Sequence, residues 1–139
     1  MALVLIFILG EEEYGLEIDA IQEIIEDPLL HYVPRAEGVL SGAINFHGQV
    51  LSVIDLPLLL GFSGEKRDHR RVVLTPEFKS MVFMVSDIQR IVKLDLSELH
   101  APPENTEGRA VRGMANLDER MINLLNTDEV INQLKNIYT

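Results

Sequence analysis

The chain repeats itself. YGLEIDAIQEII, from Tyr14, lies over MVFMVSDIQRIV, from Met81, at a shift of 67. Ile21-Gln22 recurs as Ile88-Gln89, and Ile24 as Ile91. GAINFHGQVLSVID, from Gly42, lies over GMANLDERMINLLN, from Gly113, at a shift of 71. Here Gly42/Gly113 and Asn45/Asn116 are identical, and the apolar Val50, Leu51, Val53 and Ile54 match Met121, Ile122, Leu124 and Leu125. Any two amphipathic β segments resemble one another. Two separate segments recurring in one order at nearly one shift point instead to an internal duplication. A half of roughly 70 residues has only a marginal core. The halves are therefore expected to share a third apolar layer, with a groove at their seam.

The whole chain has 139 residues, which suits a single domain, residues 1–139, made of two similar halves. It has no cysteine, so disulfide frameworks and thiolate chemistry are excluded. The formal net charge is −10, which repels nucleic-acid phosphates and anionic membrane surfaces. The opening apolar run Ala2 to Leu9 has no preceding Lys or Arg and is followed by three glutamates, unlike a secretory signal. It is too short to span a bilayer. It reads as a strand buried on both faces, and the chain as soluble and cytoplasmic.

Further along, Tyr14, Leu16 and Ile18 alternate with Gly15 and Glu17, as in a half-buried strand. Ala20 to Ile25 fits a short helix or a strand equally, because Ile21, Ile24 and Ile25 suit one helical face. Pro28 and Pro34 bracket a loop or edge strand. Val39–Asn45, Val50–Asp55, Val72–Leu74, Met81–Val85, Val111–Leu117 and Met121–Leu125 read as strands. Leu56 to Phe62 reads as a helical turn closed by Gly61, Ser63 to Arg71 as a charged surface loop, and Ala101 to Glu107 as a proline-stiffened loop. Asn126 with Glu129 starts a short C-terminal helix whose stripe is Val130, Ile131, Leu134 and Ile137. Many short strands and little helix predict an all-β barrel or sandwich.

Catalytic patterns are missing. His31, His47, His69 and His100 stand far apart in sequence, and no H-E-x-x-H, G-x-S-x-G or phosphate-binding glycine loop is present. Asp68-His69-Arg70-Arg71 has no nucleophile beside it and reads as solvated surface. Glu11-Glu12-Glu13 reads as a turn. No catalytic residue, metal or cofactor is expected. His47, in isolation, is a turn residue before a glycine that takes positive φ.

LVLIFILGEEEYGLEIDAIQEII, then VP, then SGAINFHGQVLSVIDL resemble the CheW-like domain family, and RRVVL, FMVSDIQRIVKL, HAPPE and VRGMANLDERMINLLN continue the resemblance through the second half. Its most distinctive element is G-x-x-N-x-x-G-x-x-x-x-x-x-D-L, here Gly42 to Leu56. The resemblance covers essentially the whole chain, which implies a stand-alone adaptor. It implies two intertwined five-stranded β-barrels with short helical segments, and no enzymatic activity. The implied role is to couple chemoreceptors to a CheA-type histidine kinase. The implied partners are the kinase's regulatory domain, paired barrel to barrel, and the helical tip of a methyl-accepting chemoreceptor, held in the groove. Localisation would be cytoplasmic, at membrane-associated arrays. Exposed sheet edges would also allow weak self-association.

Residue by residue, the resemblance places Ile21 and Glu23 on the contact strand, Gly42 where a backbone comes close, and Ile91 in the groove. Where the family usually reads N-L-R-G, this chain has Asn45-Phe46-His47-Gly48. The implied partner surface is thus Ile21, Glu23, Gly42, Asn45, Phe46, His47 and Ile91. Arginine is always charged, and histidine only partly so near neutral pH. His47 is therefore expected to face Glu23 and to weaken or re-specify the usual contact. The competing expectation is a small-ligand-binding β domain that uses the groove as a pocket.

Overall fold

The computed structural model describes residues 1–26, 29–31, 38–102 and 109–138. The expected loops around Pro28 and Pro34, and most of the one at Ala101 to Glu107, lie outside these residues. The strands are β1 (Ala2–Leu9), β2 (Glu12–Glu17), β3 (Ile21–Glu26), β4 (Leu40–Phe46), β5 (Gln49–Asp55), β6 (Arg70–Leu74), β7 (Val82–Met84), β8 (Asp87–Leu94), β9 (Val111–Leu117) and β10 (Arg120–Leu125). Helix α1 (Leu56–Leu59) follows β5, and helix α2 (Thr127–Tyr138) follows β10. Single 3-10 turns occupy Ile18–Ala20, Pro76–Phe78 and Leu96–Glu98.

The strands form two five-stranded sheets, ordered β8-β1-β2-β10-β9 and β3-β6-β7-β5-β4. Replacing each strand of the first sheet by its duplicate in the other half gives the second sheet. The chain changes sheet after the second strand of each half. β3, β4 and β5 leave β1 and β2 to join β6 and β7 in the second sheet, and β8, β9 and β10 leave β6 and β7 to join β1 and β2 in the first. The halves are therefore intertwined, as the family resemblance implied. Each sheet also curls back on itself. The segment after β3 returns to the far strand through a bridge between His31 and Ala43, and the segment after β8 does so between His100 and Met114.

Three apolar layers result. Val4, Ile6, Leu94, Ala115, Ile122 and Leu124 fill the first sheet. Ile44, Phe46, Leu51, Val53, Val73, Val82 and Met84 fill the second. A larger shared layer between them takes Leu5, Phe7, Leu9, Tyr14, Val72, Leu74 and Phe83. This explains the unbroken apolar run of β1: alternate side chains enter two different cores. α2 closes the shared layer with Val130 and Leu134, while Ile137 stays exposed. Its start is the expected cap, since Glu129 N–H donates to Asn126 Oδ1 at 3.1 Å.

The repeated Ile-Gln dipeptides mark a repeated irregularity. Ile21 pairs with Leu74 and Glu23 with Val73, which leaves Gln22 as an extra residue. Ile88 pairs with Phe7 and Arg90 with Ile6, which leaves Gln89 as another. These are β-bulges, which bend a strand and re-aim its side chains. The ambiguous segment 20–25 thereby resolves as a 3-10 turn followed by a strand.

Candidate functional site

The β4–β5 hairpin turns through two residues, His47 at φ 49° and Gly48 at φ 86°. Two consecutive positive φ values give the twist that suits a right-handed hairpin. Asn45 stabilises the turn, its Oδ1 accepting the Gly48 N–H at 3.0 Å. Phe46 points into the second-sheet core, so His47 is carried outward beside it, ring centroids 4.2 Å apart.

On the opposite edge of the same sheet, the Gln22 bulge lets both Ile21 and Ile24 pack on the shared layer. Glu23 is left free to face the hairpin. Its Oε1 lies 3.8 Å from His47 Nε2, with the side chains 48% and 70% exposed. This is an ion pair only while the imidazole is protonated, and at such exposure it contributes under about 1 kcal/mol.

The structure thus brings Glu23, Asn45, Phe46 and His47 together and separates the rest. Ile21 is half-buried at the start of β3. Gly42 is buried, and the backbone that approaches it is the chain's own: a Cβ there would stand 2.6 Å from the His31 carbonyl oxygen. Ile91 lies on the other sheet, opposite Leu5, and is 55% exposed. A cleft of about 420 Å³ is lined by both halves, with Leu16, Glu17 and Asp19 facing Phe78, Arg112 and Leu125. None of the expected site residues lines it.

Several polar residues have roles the sequence reading missed. Asp68 lies in the loop just before β6, but it is buried rather than solvated. It accepts Arg70 Nε and Nη2, both at 2.9 Å, and the Ile88 N–H at 2.7 Å, so it ties β6 to β8. Burial alone would raise its carboxyl. The hydrogen bonds from the Arg70 side chain and from the Ile88 and Arg70 N–H groups outweigh that and hold it well below the usual carboxylate range. Glu12 and Glu13 open β2 rather than making a turn. Glu13 stands 3.2 Å from Arg120 and 3.8 Å from Arg90, Glu12 3.7 Å from Arg109, and Glu17 pairs with Arg112. Second-half arginines thus hold first-half carboxylates. Tyr14 adds a further tie, donating its hydroxyl to the Arg109 carbonyl at 2.8 Å, and burial pushes that hydroxyl well above its usual range. The duplication also extends to His31 and His100, each in a Leu-His-x-x-Pro frame at a shift of 69. Both make the closing bridges. That repeat was a readable signal.

Among the described residues no three His, Asp or Glu side chains gather as a metal site, and no helix is long and apolar enough to cross a membrane.

Comparison with known proteins places this arrangement. Among solved structures, the scaffolding protein TtCheW from Thermoanaerobacter tengcongensis matches with a TM-score of 0.80 at 26% identity, over 88% of this chain and 87% of that one. Among curated proteins, the chemotaxis protein CheW of Klebsiella aerogenes is 27% identical, over 91% of this chain and 80% of its own length. That of Thermotoga maritima is 23% identical over 94% and 88%. That of Rhizobium meliloti is 29% identical over 89% and 83%. The profile of the CheW-like domain matches residues 3–135. With the strand exchange and the duplicated hairpins, this shows that the chain belongs to the CheW-like domain family.

Proposed function

We propose that this chain is a non-enzymatic adaptor that couples chemoreceptors to a CheA-type histidine kinase. In this reading its 139 residues act as one domain of two barrel-like halves. It works in the cytoplasm at receptor arrays. Its partner surface is centred on Glu23, Asn45 and His47, with Phe46 anchoring the hairpin from the core, Ile21 and Gly42 shaping the strands behind it, and Ile91 contributing separately from the other sheet. The observation that carries the reading is the exposed Glu23–His47 pair. The hairpin places a histidine at a strained backbone position, where it meets only the Phe46 ring beside it and Glu23 at 3.8 Å. A residue kept there for folding would be Asn or Gly.

His47 offers one shorter ring where an arginine would offer a permanently charged planar fork of donors. It therefore weakens the contact relative to arginine. The test is capture from native cytosol with wild type, His47→Arg and Glu23→Lys as baits. Wild type should recover a CheA-type kinase and a chemoreceptor, His47→Arg more of the kinase, and Glu23→Lys less. Recovery of neither protein by any bait overturns the adaptor reading. Equal recovery by all three overturns the assignment of this surface.

A further inference from the structure

The cleft of about 420 Å³ between the halves opens beside the start of α2. Its floor is apolar, built from Leu16, Ala20, Phe78 and Leu125. Its rim is acidic. Glu17 is neutralised by Arg112, but Asp19, Glu77 and Asp128 are exposed and have no ion-pair partner among the described residues. Thr127, the first residue of α2, lines the cleft as well. It is only 7% exposed, and its hydroxyl has no hydrogen-bond partner among the described residues. Folded chains rarely leave a hydroxyl that deep unmatched. Thr75 joins two walls of the cleft, its N–H donating to the Ala20 carbonyl at 3.0 Å, and its own buried hydroxyl is unpartnered too.

The duplication shows how the fold closes such a place for itself. At the shift of 67, Asp19 corresponds to Ser86 and Glu77 to Gly10; at the shift of 71, Thr127 corresponds to Leu56. There the Ser86 hydroxyl accepts the Gly10 N–H at 3.0 Å, and Leu56 is fully buried. Here two carboxylates replace the hydrogen-bonded pair, and a hydroxyl replaces the leucine. Neither change serves packing, since like charges repel and a buried hydroxyl without a partner costs free energy.

We propose that this cleft binds a linear aliphatic polyamine. Its free carboxylates call for positive charge. They do not gather closely enough to hold one metal ion, so the charge that answers them is spread over several points. Ammonium groups spaced along a methylene chain have that form. The apolar floor takes the methylenes, and the Thr127 hydroxyl accepts an N–H from one ammonium. The volume suits a small molecule, and the net charge of −10 draws cations toward the chain. The site is distinct from the Glu23–His47 surface and stands or falls independently of it.

The test is calorimetric titration of the full chain with spermidine at low ionic strength, which should show saturable binding at one site. Butylamine, with a single ammonium, should bind at least about tenfold more weakly. Thr127→Val should weaken spermidine binding by about fivefold, and Thr127→Ser, which keeps the hydroxyl, should retain it. Asp19→Asn combined with Glu77→Gln alters only exposed side chains and should weaken it by about tenfold. Glu65→Gln, which removes the same kind of charge outside the cleft, should change nothing. Amide chemical shifts should move at Ala20, Phe78 and the start of α2. Absence of saturable binding, equal binding of butylamine, no effect of Thr127→Val, or equal losses from Glu65→Gln and the cleft variants would overturn the proposal. So would displacement of spermidine by Mg²⁺ beyond that caused by NaCl of the same ionic strength.

Discussion

Glu23 and His47 face each other across the two outer edges of one sheet, 3.8 Å apart, on strands that sit at opposite ends of its order. The corresponding pair in the other half is Arg90 and Asp118, with the charges reversed. There Arg90 turns to Glu13 on β2. One pair is thus drawn into a wider set of ion pairs, and the other stays exposed.

The His47 position should be improvable for stability at the expense of contact. Asn-Gly is the preferred pair for such a turn, and non-glycine residues other than Asn and Asp resist the left-handed region. His47→Asn should raise stability by up to about 1 kcal/mol, read from urea or thermal melts. It should lower kinase capture, because the ring facing Glu23 is gone. Stabilisation with undiminished capture would show that the ring has no role in contact.

The second hairpin offers a cleaner test of the same strain. Asp118 at φ 51° and Glu119 at φ 65° occupy the equivalent turn. Glu119→Gly should stabilise the chain by about 0.5–1 kcal/mol, measured by chemical denaturation. An unchanged midpoint would show that the turn relaxes in solution.

Asp68 should behave as a buried anchor. Asp68→Asn leaves the Arg70 guanidinium without its carboxylate and should cost about 3 kcal/mol. The sign of the pH effect follows from the depressed native carboxyl. An aspartate titrates near 3.9 when unfolded, so the contribution is fully present above that pH. It is lost as the pH falls toward the lower native value. Wild type and Asp68→Asn should therefore differ most at pH 5 and above and converge on acidification. Melts taken down a pH series would show it, and parallel curves would contradict it.

Gly42 and Gly113 should differ in a predictable order. Gly42 has φ 151°, and a Cβ there would meet a carbonyl oxygen at 2.6 Å. At Gly113 the nearest atoms stand at 3.1 and 3.2 Å, with no positive φ. Gly42→Ala should cost about 2–3 kcal/mol and Gly113→Ala about 1 kcal/mol or less. The ratio can be read from equilibrium unfolding. The reverse order would mean that the His31 segment yields more easily than the Leu99–His100 segment.

The strand pattern was legible wherever one side chain in two met a core, as in β4, β5, β9 and β10. Segment 20–25 was ambiguous for a physical reason. Its bulge places Ile21 and Ile24, three apart, on one face, which imitates a helix. The turn at His47 was readable from His-Gly, and its approach to Glu23 came from resemblance, because no local rule links residues on opposite sheet edges. Asp68 was misread because its partners are a side chain two residues on and a backbone group twenty residues on. A charged run looks the same in sequence whether it is solvated or folded onto itself. The glutamates of β2 were likewise opaque, since the arginines that answer them lie in the other half.

The change of sheet at β3 and again at β8 fixes when this protein can become itself on the ribosome. The first sheet begins at Ala2 yet still lacks β10 until Leu125 has been made. The second sheet is built from five consecutive strands, β3 to β7, and is complete at Met84, but the first joins β1 and β2 to β8, β9 and β10, so a finished sheet never coincides with a finished half. The two halves, alike enough to be read as copies, therefore mature at different times: the strands of one sheet are all made by Met84, and those of the other only with β10. A truncation in one half leaves a gap in the sheet dominated by the other.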